Sequence, residues 1–383
     1  MQNPFEYGRV VGPESFCNRQ QELSDIRRAM ENGQTLFIYS ERRLGKTSLL
    51  KRALPSLSEM EFQSVYVDLW PTTDEASFVG VFAKAITEAA ASAPQRMLAF
   101  ARSFFNSLRP VLSYNDQGKP EITFGAIKSS PPIYTLDKIL EVPLRLAKTQ
   151  KKRTVIVLDE FQQILEYEDD TVERSLRSTI QHHENVSYIL SGSRKHLIDS
   201  MLTDRSRPLY RAGGHYPLKP IGLRHWSPFI HEKFEGSKKY IAQEIIEAIY
   251  QLTEGHPFYT QHLCHAIWEQ TAEQSWVSKE TLASSVNLLL DREDYAYSTL
   301  WDSLTVNQRK LMEAIATDPQ PAKLFSAEFI NRHGLKTPAA IQRAAKALKE
   351  RDLIDSAEGA YFVTDRFLKL WIKRRIQRWY SVK

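Results

Sequence analysis

Apolar residues follow two periodicities along the chain, and the change from one to the other divides it into regions. Up to about residue 222, short runs of apolar and β-branched residues alternate with longer segments of helical periodicity. Runs that are apolar on both faces and separated by helices are typical of buried parallel strands. The pattern therefore predicts a doubly wound α/β core over residues 1–222. The predicted strands are residues 35–40, 64–69, 154–159, 186–191 and 216–220.

An alternation of period two interrupts this region at residues 108–125. Its two halves flank Asn115, Asp116, Gln117 and Gly118, which are residue types that favour a tight turn. We interpret the segment as a β-hairpin inserted into the α/β core.

The rest of the chain changes to helical periodicity. Residues 223–302 are helical throughout, apart from a break at Gly255-His256-Pro257, and predict an all-helical lid. Residues 303–383 contain three short helical patterns, at 305–316, 326–333 and 338–352, followed by a strand–turn–strand pattern at 353–363 and a basic tail. Three helices and a two-stranded wing predict a winged helix-turn-helix.

The turn after the first predicted strand carries a phosphate-binding motif. Residues 40–50 read S-E-R-R-L-G-K-T-S-L-L, which fits GxxxxGK[ST] except that Ser40 replaces the first glycine. Backbone amides of the turn and of the helix that follows would surround the β- and γ-phosphates of ATP. Lys46 would add a positive charge, and the Thr47 hydroxyl would bind Mg²⁺. The ATP-binding residues predicted in this segment are Ser40, Arg42, Arg43, Leu44, Gly45, Lys46, Thr47 and Ser48.

Two acidic residues stand at the end of the predicted strand 154–159. The apolar run T-V-I-V-L leads directly into Asp159 and Glu160. Parallel strands deliver such side chains to the carboxyl edge of the sheet, where ligands bind. Asp159 would hold Mg²⁺, directly or through water, and Glu160 would be the general base for the attacking water. Together with the phosphate-binding motif, this pair predicts an ATPase.

The next predicted strand also ends in polar residues. Ser191 and Ser193 close the run at residues 186–194, and Arg194 follows them. In additional-strand P-loop ATPases a polar residue at this place senses the γ-phosphate. The sequence leaves open whether Ser191 or Ser193 would do so here.

Charge is distributed unevenly along the chain. The net charge is +5, but residues 304–383 contain 16 Lys and Arg against 8 Asp and Glu, and so carry +8. The remaining 303 residues therefore carry −3. A basic end on a nearly neutral body suggests a polyanionic partner.

Composition and the remaining patterns point to a cytoplasmic protein. The two cysteines, Cys17 and Cys264, form neither a disulfide framework nor a metal-binding motif. The first eight residues lack the apolar run of a signal peptide, and no stretch approaches the ~18 apolar residues of a membrane span. We expect no membrane contact.

Seven short segments, taken in order, resemble the archaeal-type AAA ATPases, a group among the STAND and origin-initiator-like AAA+ proteins. The resemblance covers nearly the whole chain and implies an additional-strand P-loop sheet, a helical lid and a winged helix. The segments are N-P-F-E-Y-G-R-V-V (3–11), F-C-N-R-Q-Q-E-L (16–23), R-R-L-G-K-T-S-L (42–49), V-L-D-E-F-Q (157–162), S-G-S-R (191–194), R-P-L-Y-R (207–211) and T-E-G-H-P-F-Y (253–259).

The resemblance also implies roles for residues outside the two main motifs. Val10, Val11 and Arg19 would lie near the adenine. Pro257 would pack on the base, with His256 nearby. An arginine would reach the γ-phosphate of a neighbouring subunit, and the candidates for this role are Arg207, Arg211 and Arg194. The chain departs from the family in having Glu41 where proline is frequent and Tyr210 in place of the glycine before Arg211.

The third helix of the predicted winged domain has a basic outward face. Its apolar positions leave Lys336, Arg343, Lys346 and Lys349 largely on the other side. Such a face is a reasonable footprint for the phosphates of double-stranded DNA. A solvated face, or a winged helix that packs on protein, is the alternative.

The sequence therefore predicts an ATPase that uses ATP and Mg²⁺, with three hypotheses for its purpose. The first is a homo-oligomeric machine that engages DNA through the winged helix. The second is a STAND-type nucleotide switch whose winged helix contacts protein. The third is a weakly catalytic adaptor for a separate effector protein.

Overall fold

The computed structural model describes residues 2–55, 62–105, 108–125, 136–193, 201, 204–318, 324–357 and 359–381. It divides into two compact units. One unit is Arg19–Lys219, and the other combines Met1–Asn18 with Pro220–Lys383. The boundary near residue 220 lies close to the predicted end of the α/β core, whereas the first 18 residues group with the C-terminal helices instead of with that core.

The unit Arg19–Lys219 is built on a parallel sheet, and the predicted fold class is confirmed. The strands of this unit are β1 (Leu36–Tyr39), β2 (Phe62–Asp68), β3 (Arg109–Tyr114), β4 (Pro120–Gly125), β5 (Arg153–Asp159), β6 (Val186–Gly192) and β7 (Gly214–Pro217). Among the described residues the sheet has five strands in the order β2-β5-β6-β1-β7, all parallel. The additional strand β6 therefore lies between β1 and β5.

Burial explains why the sequence shows continuous apolar runs here. Every residue of β1 and β6 is buried, as is every residue of β5 after Arg153, so these strands are covered on both faces. Such a strand cannot tolerate the polar alternation of a half-exposed one.

The helices of the unit are α1 (Gln20–Glu31), α2 (Lys46–Ala53), α3 (Glu75–Ala90), α4 (Pro94–Phe104), α5 (Leu136–Leu140), α6 (Val142–Gln150) and α7 (Thr171–His182).

The segment at residues 108–125 is an antiparallel hairpin of β3 and β4, separate from the main sheet. Its Ile122 is fully buried with Met97 and Ala101 of α4, and Phe124 meets Phe105 edge-on at 5.5 Å between ring centroids. Lys84 of α3 forms an ion pair with Glu121. The hairpin therefore packs on α3 and α4.

The second unit has one apolar core that extends from its first helices into the winged domain. Phe5, Trp226, Ile267, Leu311 and Leu348 all belong to this core and are almost completely buried. Its elements are α8 (Leu223–Glu235), α9 (Gln243–Thr253), α10 (Pro257–Gln270), α11 (Lys279–Arg292), α12 (Asp294–Asp302), α13 (Val306–Thr317), α14 (Ala327–Arg332), α15 (Pro338–Glu350), β8 (Ile354–Ala357), β9 (Ala360–Val363) and α16 (Arg366–Ser381).

The N-terminal segment is attached to helix α10 of this unit. The Asn3 side chain donates to the carbonyl oxygen of His265 at 3.1 Å, and the Tyr7 ring stacks on His262 with 3.9 Å between centroids. The Gln261 side chain donates to the carbonyl oxygen of Ser15 at 3.1 Å. These contacts explain why the first 18 residues belong to the helical unit.

The last helix, α16, is tied to the lid by ion pairs. Glu254 forms ion pairs with Arg366 at 3.0 Å and with Lys369 at 2.6 Å, and Arg374 forms one with Asp291 at 2.7 Å. Burial alone would raise the pKa of Glu254, but Arg366 and Lys369 hold it below its usual value. Part of the C-terminal positive charge is therefore neutralised within the unit. Among the described helices, none combines the length and apolarity needed to cross a membrane.

Candidate functional site

The phosphate-binding motif forms a turn between β1 and α2. Strand β1 ends at Tyr39 and α2 begins at Lys46, so residues 40–45 make the connection. Gly45 stands at the helix N-cap with φ +92°, a conformation that side chains with a Cβ rarely adopt. The first backbone N–H groups of α2 have no intrahelical acceptors and carry the positive end of the helix dipole. This local structure suits an anion such as a phosphate.

Lys46 is buried at the centre of the turn. Its ammonium group donates to Ser40 Oγ at 2.9 Å and to the carbonyl oxygen of Glu41 at 3.0 Å. Burial lowers the pKa of Lys46 to about 8, although Glu160 and Asp159 oppose that shift. The serine that replaces the expected glycine therefore provides a hydrogen-bond acceptor for the lysine.

The Asp159 carboxylate accepts three hydrogen bonds at the end of β5. The Thr47 hydroxyl donates to Asp159 Oδ2 at 2.7 Å, and the Tyr66 hydroxyl donates to the same oxygen at 2.5 Å. The backbone N–H of Glu160 donates to Asp159 Oδ1 at 3.0 Å. A hydroxyl and a carboxylate held side by side next to a phosphate-binding turn are the oxygen ligands that suit Mg²⁺. Thr47 and Asp159 therefore fit the metal site expected from the sequence.

Glu160 is held in a fixed position beside Asp159. Its backbone has φ +54°, which is uncommon outside glycine and clusters at functional sites. The Gln162 side chain donates to Glu160 Oε2 at 2.5 Å, and the Ser193 hydroxyl donates to the same oxygen at 3.0 Å. Gln162 also accepts from the backbone N–H of Ser193 at 3.1 Å. The structure thus brings the predicted base together with one of the two predicted sensors.

The structure separates Ser191 from Ser193. Ser191 is fully buried, and its hydroxyl has no hydrogen-bond partner among the described residues. Only Ser193 of the two contacts Glu160. Arg194 lies outside the described residues.

The two remaining arginine candidates differ in their surroundings. Arg207 donates to Glu173 Oε2 at 2.6 Å, and the Glu173 side chain is only 2% exposed. Arg211 is exposed and makes no ion pair with a described residue, although its guanidinium lies 5.2 Å from the Tyr210 ring centroid. Arg207 therefore already neutralises a buried carboxylate of its own chain, whereas Arg211 does not.

The residues predicted to contact the rest of the nucleotide fall into both units. Three of them are buried in the unit Arg19–Lys219, namely Arg19, Leu44 and Ser48. Arg19 forms an ion pair with Glu22 at 2.6 Å. Arg42 and Arg43 of the same unit are exposed. Val10 and Val11 belong to the other unit, as does Pro257, which begins α10.

The break at residues 255–257 has a structural explanation of its own. Gly255 has φ +68°, and a Cβ there would lie 2.2 Å from the carbonyl oxygen of Ile221. The Trp226 indole donates to the Gly255 carbonyl oxygen at 3.0 Å. The turn is required by the packing of the helical unit, and the adenine contact of Pro257 stays a prediction.

The winged domain has the predicted basic face on α15, with one exception. Arg343 and Lys346 of α15 are exposed, as is Lys336, which lies just before the helix. Lys346 lies 3.9 Å from Glu350 one turn further along the helix. Lys349 instead donates to Ser356 Oγ at 2.7 Å and lies 5.2 Å from the Tyr361 ring centroid. Lys349 therefore supports the wing, and three exposed cations remain.

Two residues in contact with the acidic pair were missed by sequence reasoning. Gln162 lies within the V-L-D-E-F-Q segment, two positions after Glu160, but a glutamine there has no recognisable motif role. Tyr66 lies within a predicted strand and is aligned with Val157 of β5 in the sheet. Only strand pairing, which the sequence did not provide, brings Tyr66 to Asp159.

The strand order, the phosphate-binding turn and the Asp159–Glu160 pair together define a P-loop ATPase of the additional-strand class, followed by a winged helix. A family described as "ATPase domain predominantly from Archaea" matches residues 16–263, and one described as "Probable winged helix domain" matches residues 295–374. The chain belongs to this archaeal ATPase family, as the sequence segments predicted.

Solved structures share the fold over nearly the whole chain. A Walker-type ATPase of Pyrococcus abyssi is 17% identical with a TM-score of 0.65, and the match covers 96% of this chain and 99% of that one. The ORC2 protein of Aeropyrum pernix is 14% identical with a TM-score of 0.57, covering 98% and 99%. A search of curated protein sequences found no match.

Proposed function

We propose that this chain binds ATP with Mg²⁺ at the carboxyl edge of its parallel sheet and hydrolyses it. The observation that carries the proposal is the convergence of Lys46 and Thr47, at the start of α2, with Asp159 and Glu160, at the carboxyl end of β5. The turn and α2 would bind the phosphates, and Lys46 would exchange its contacts with Ser40 and Glu41 for phosphate oxygens.

Hydrolysis would use Glu160 as the general base. Its carboxylate would accept a proton from the attacking water, whose oxygen bonds to the γ-phosphorus as the bond to the ADP oxygen breaks. Ser193 would contact the γ-phosphate and, through its existing bond to Glu160, link the presence of ATP to the position of the base. Mg²⁺ held by Thr47 and Asp159 would neutralise developing negative charge on the phosphates.

Two substitutions test the two halves of this proposal. Lys46→Ala should lower ATP affinity by at least about tenfold, because it removes a buried charge aimed at the phosphates. Glu160→Gln should retain ATP binding and lower kcat by about 100-fold or more, because an amide cannot accept the proton. Isothermal titration and a phosphate-release assay measure these effects. Normal turnover by Glu160→Gln would exclude its role as base.

We also propose what ATP binding and turnover are for, from the exposed cations of the winged domain and from Arg211. The exposed Arg343 and Lys346 of α15, with Lys336 just before the helix, support engagement of double-stranded DNA by the winged helix. The freely exposed Arg211 supports ATP-dependent association of copies of the chain, in which it would reach a neighbour's γ-phosphate. The alternative is a STAND-type switch or an adaptor for a separate effector protein, in which α15 contacts protein.

A further inference from the structure

Tyr66 is one of the two residues in contact with the acidic pair that no sequence motif marks, and it is the one that contacts Asp159. It lies in the middle of β2, on the strand paired with β5, and its hydroxyl meets Asp159 Oδ2 at 2.5 Å. We propose that Tyr66 is a positioning residue that holds the Asp159 carboxylate for Mg²⁺ and thereby sets how strongly the cation supports nucleotide binding. This inference rests on the proposed ATP function.

The Asp159 carboxylate has a donor on each oxygen, and this fixes its orientation. Oδ1 accepts from the Glu160 backbone N–H, while Oδ2 accepts from both Thr47 and Tyr66. The carboxylate is 2% exposed, so water cannot freely replace a missing donor. Two short hydroxyl bonds to Oδ2 and one backbone bond to Oδ1 therefore hold the carboxylate in one orientation beside Thr47.

The aromatic ring of Tyr66 makes a second contact, with Lys51 of α2. The Lys51 ammonium of α2 lies 5.1 Å from the centroid of the Tyr66 ring. Tyr66 therefore connects the helix that follows the phosphate-binding turn to the carboxylate at the end of β5. Its ring is placed by strand pairing and by Lys51, and its hydroxyl donates to Asp159, so removal of that one oxygen tests positioning while the ring stays in place.

The test is Tyr66→Phe, measured by displacement of a fluorescent ATP analogue with ATP in the presence of Mg²⁺ and in the presence of EDTA. The Mg²⁺-free affinity should equal that of the wild type, because the phosphate-binding turn is intact. The gain in affinity on adding Mg²⁺ should fall about tenfold or more, which is the effect expected for one hydrogen bond to a charged group. The Mg²⁺ concentration for half-maximal turnover should rise in parallel.

Tyr167→Phe is the matched control. Its hydroxyl, also on a half-buried tyrosine, donates to Thr72 Oγ1 at 2.6 Å and does not contact the acidic pair. Its Mg²⁺ gain should equal that of the wild type. An unchanged gain in Tyr66→Phe, or an equal loss in both variants, overturns the positioning role. A wild-type protein that shows no Mg²⁺ gain would instead contradict the proposed ATP site. Because the gain is a ratio within one protein, a partly folded sample does not alter it.

Discussion

At the scale of single residues, the charged side chains of the predicted ATP site, Lys46, Asp159 and Glu160, each make at least two hydrogen bonds. Lys46 is buried, and its hydrogen bonds to described residues are to a hydroxyl and a carbonyl oxygen, neither of which is charged. Asp159 and Glu160 are neighbours in the chain, but their oxygens are held by different donors. Tyr66 and Thr47 hold the first, and Gln162 and Ser193 hold the second. The two carboxylates can therefore have separate roles, one toward the metal and one toward water.

Gln162 provides a prediction at this scale. It donates to Glu160 and accepts from the Ser193 backbone, so it links the base to the proposed γ-phosphate sensor. Gln162→Ala should lower kcat about tenfold with unchanged ATP affinity, because a mobile base is less often in line with the water. Steady-state phosphate release and ATP titration measure both quantities.

The neighbouring Gln163→Ala is the control for this variant, since among the described residues no hydrogen bond of the Gln163 side chain is found. It should leave kcat unchanged. A Gln162→Ala protein that turned over ATP faster than the wild type would mean that Gln162 restrains the base instead of orienting it.

At the scale of elements, residue pattern and structure agree where an element is buried on both sides. Strands β5 and β6 were predicted within one residue of their observed ends, since continuous apolar runs of that length have few alternatives. Helix α15 was predicted from Pro338, and its N-cap Thr337 accepts from the Ala340 backbone N–H at 3.4 Å. One residue of its predicted basic face differs from the prediction, because the Lys349 ammonium donates to Ser356 of the wing.

Helix α15 carries the prediction for nucleic acid. Replacing Lys336, Arg343 and Lys346 with Glu should weaken binding to duplex DNA more than about tenfold in low salt. The slope of log affinity against log salt should become shallower by about 0.9 for each DNA phosphate that the variant no longer neutralises. Fluorescence anisotropy with a labelled duplex over a salt series measures both.

The control places the same charge change on the other unit. Lys148, Lys151 and Lys152 are exposed cations that line a cavity near the start of β5, and their triple substitution with Glu should leave DNA affinity within about twofold. Equally weakened binding in both triple variants would show nonspecific attraction to net charge. Unchanged DNA affinity in the α15 variant would favour the protein-contacting alternative.

At the scale of the whole molecule, the two units divide the predicted nucleotide contacts. The phosphate and metal residues lie in Arg19–Lys219, while Val10, Val11 and Pro257 lie in the other unit with the winged helix. The second unit has a continuous core and the ion pairs of α16, so lid and winged helix are packed together.

Association of copies of the chain gives the prediction at this scale. If Arg211 acts on a neighbour's ATP, the turnover per chain of the wild type should rise with protein concentration. Arg211→Ala should bind ATP normally and match the wild type at low concentration. It should lack the rise with concentration, so its turnover should be at least about tenfold slower where the wild type is assembled, because a trans arginine stabilises transition-state charge. Sedimentation velocity with a nonhydrolysable ATP analogue should show the assembled species.

Arg205→Ala, which removes another exposed arginine of the same segment, should behave like the wild type. Arg207→Ala should lower thermal stability, since it leaves the buried Glu173 without its cation. Wild-type turnover that is independent of concentration would argue for a monomeric switch.

The sequence by itself determined the fold class, the phosphate-binding turn and the Asp159–Glu160 pair, because these depend on local periodicity and on motifs of fixed spacing. Only the tertiary structure decided which side chains surround that pair. Tyr66 reaches Asp159 across paired strands that are 93 residues apart in the chain, and Ser193 and Gln162 meet Glu160 where two strands end side by side. It also decided that the first 18 residues belong with the helical unit. Such contacts depend on strand order and packing, which local residue patterns do not encode.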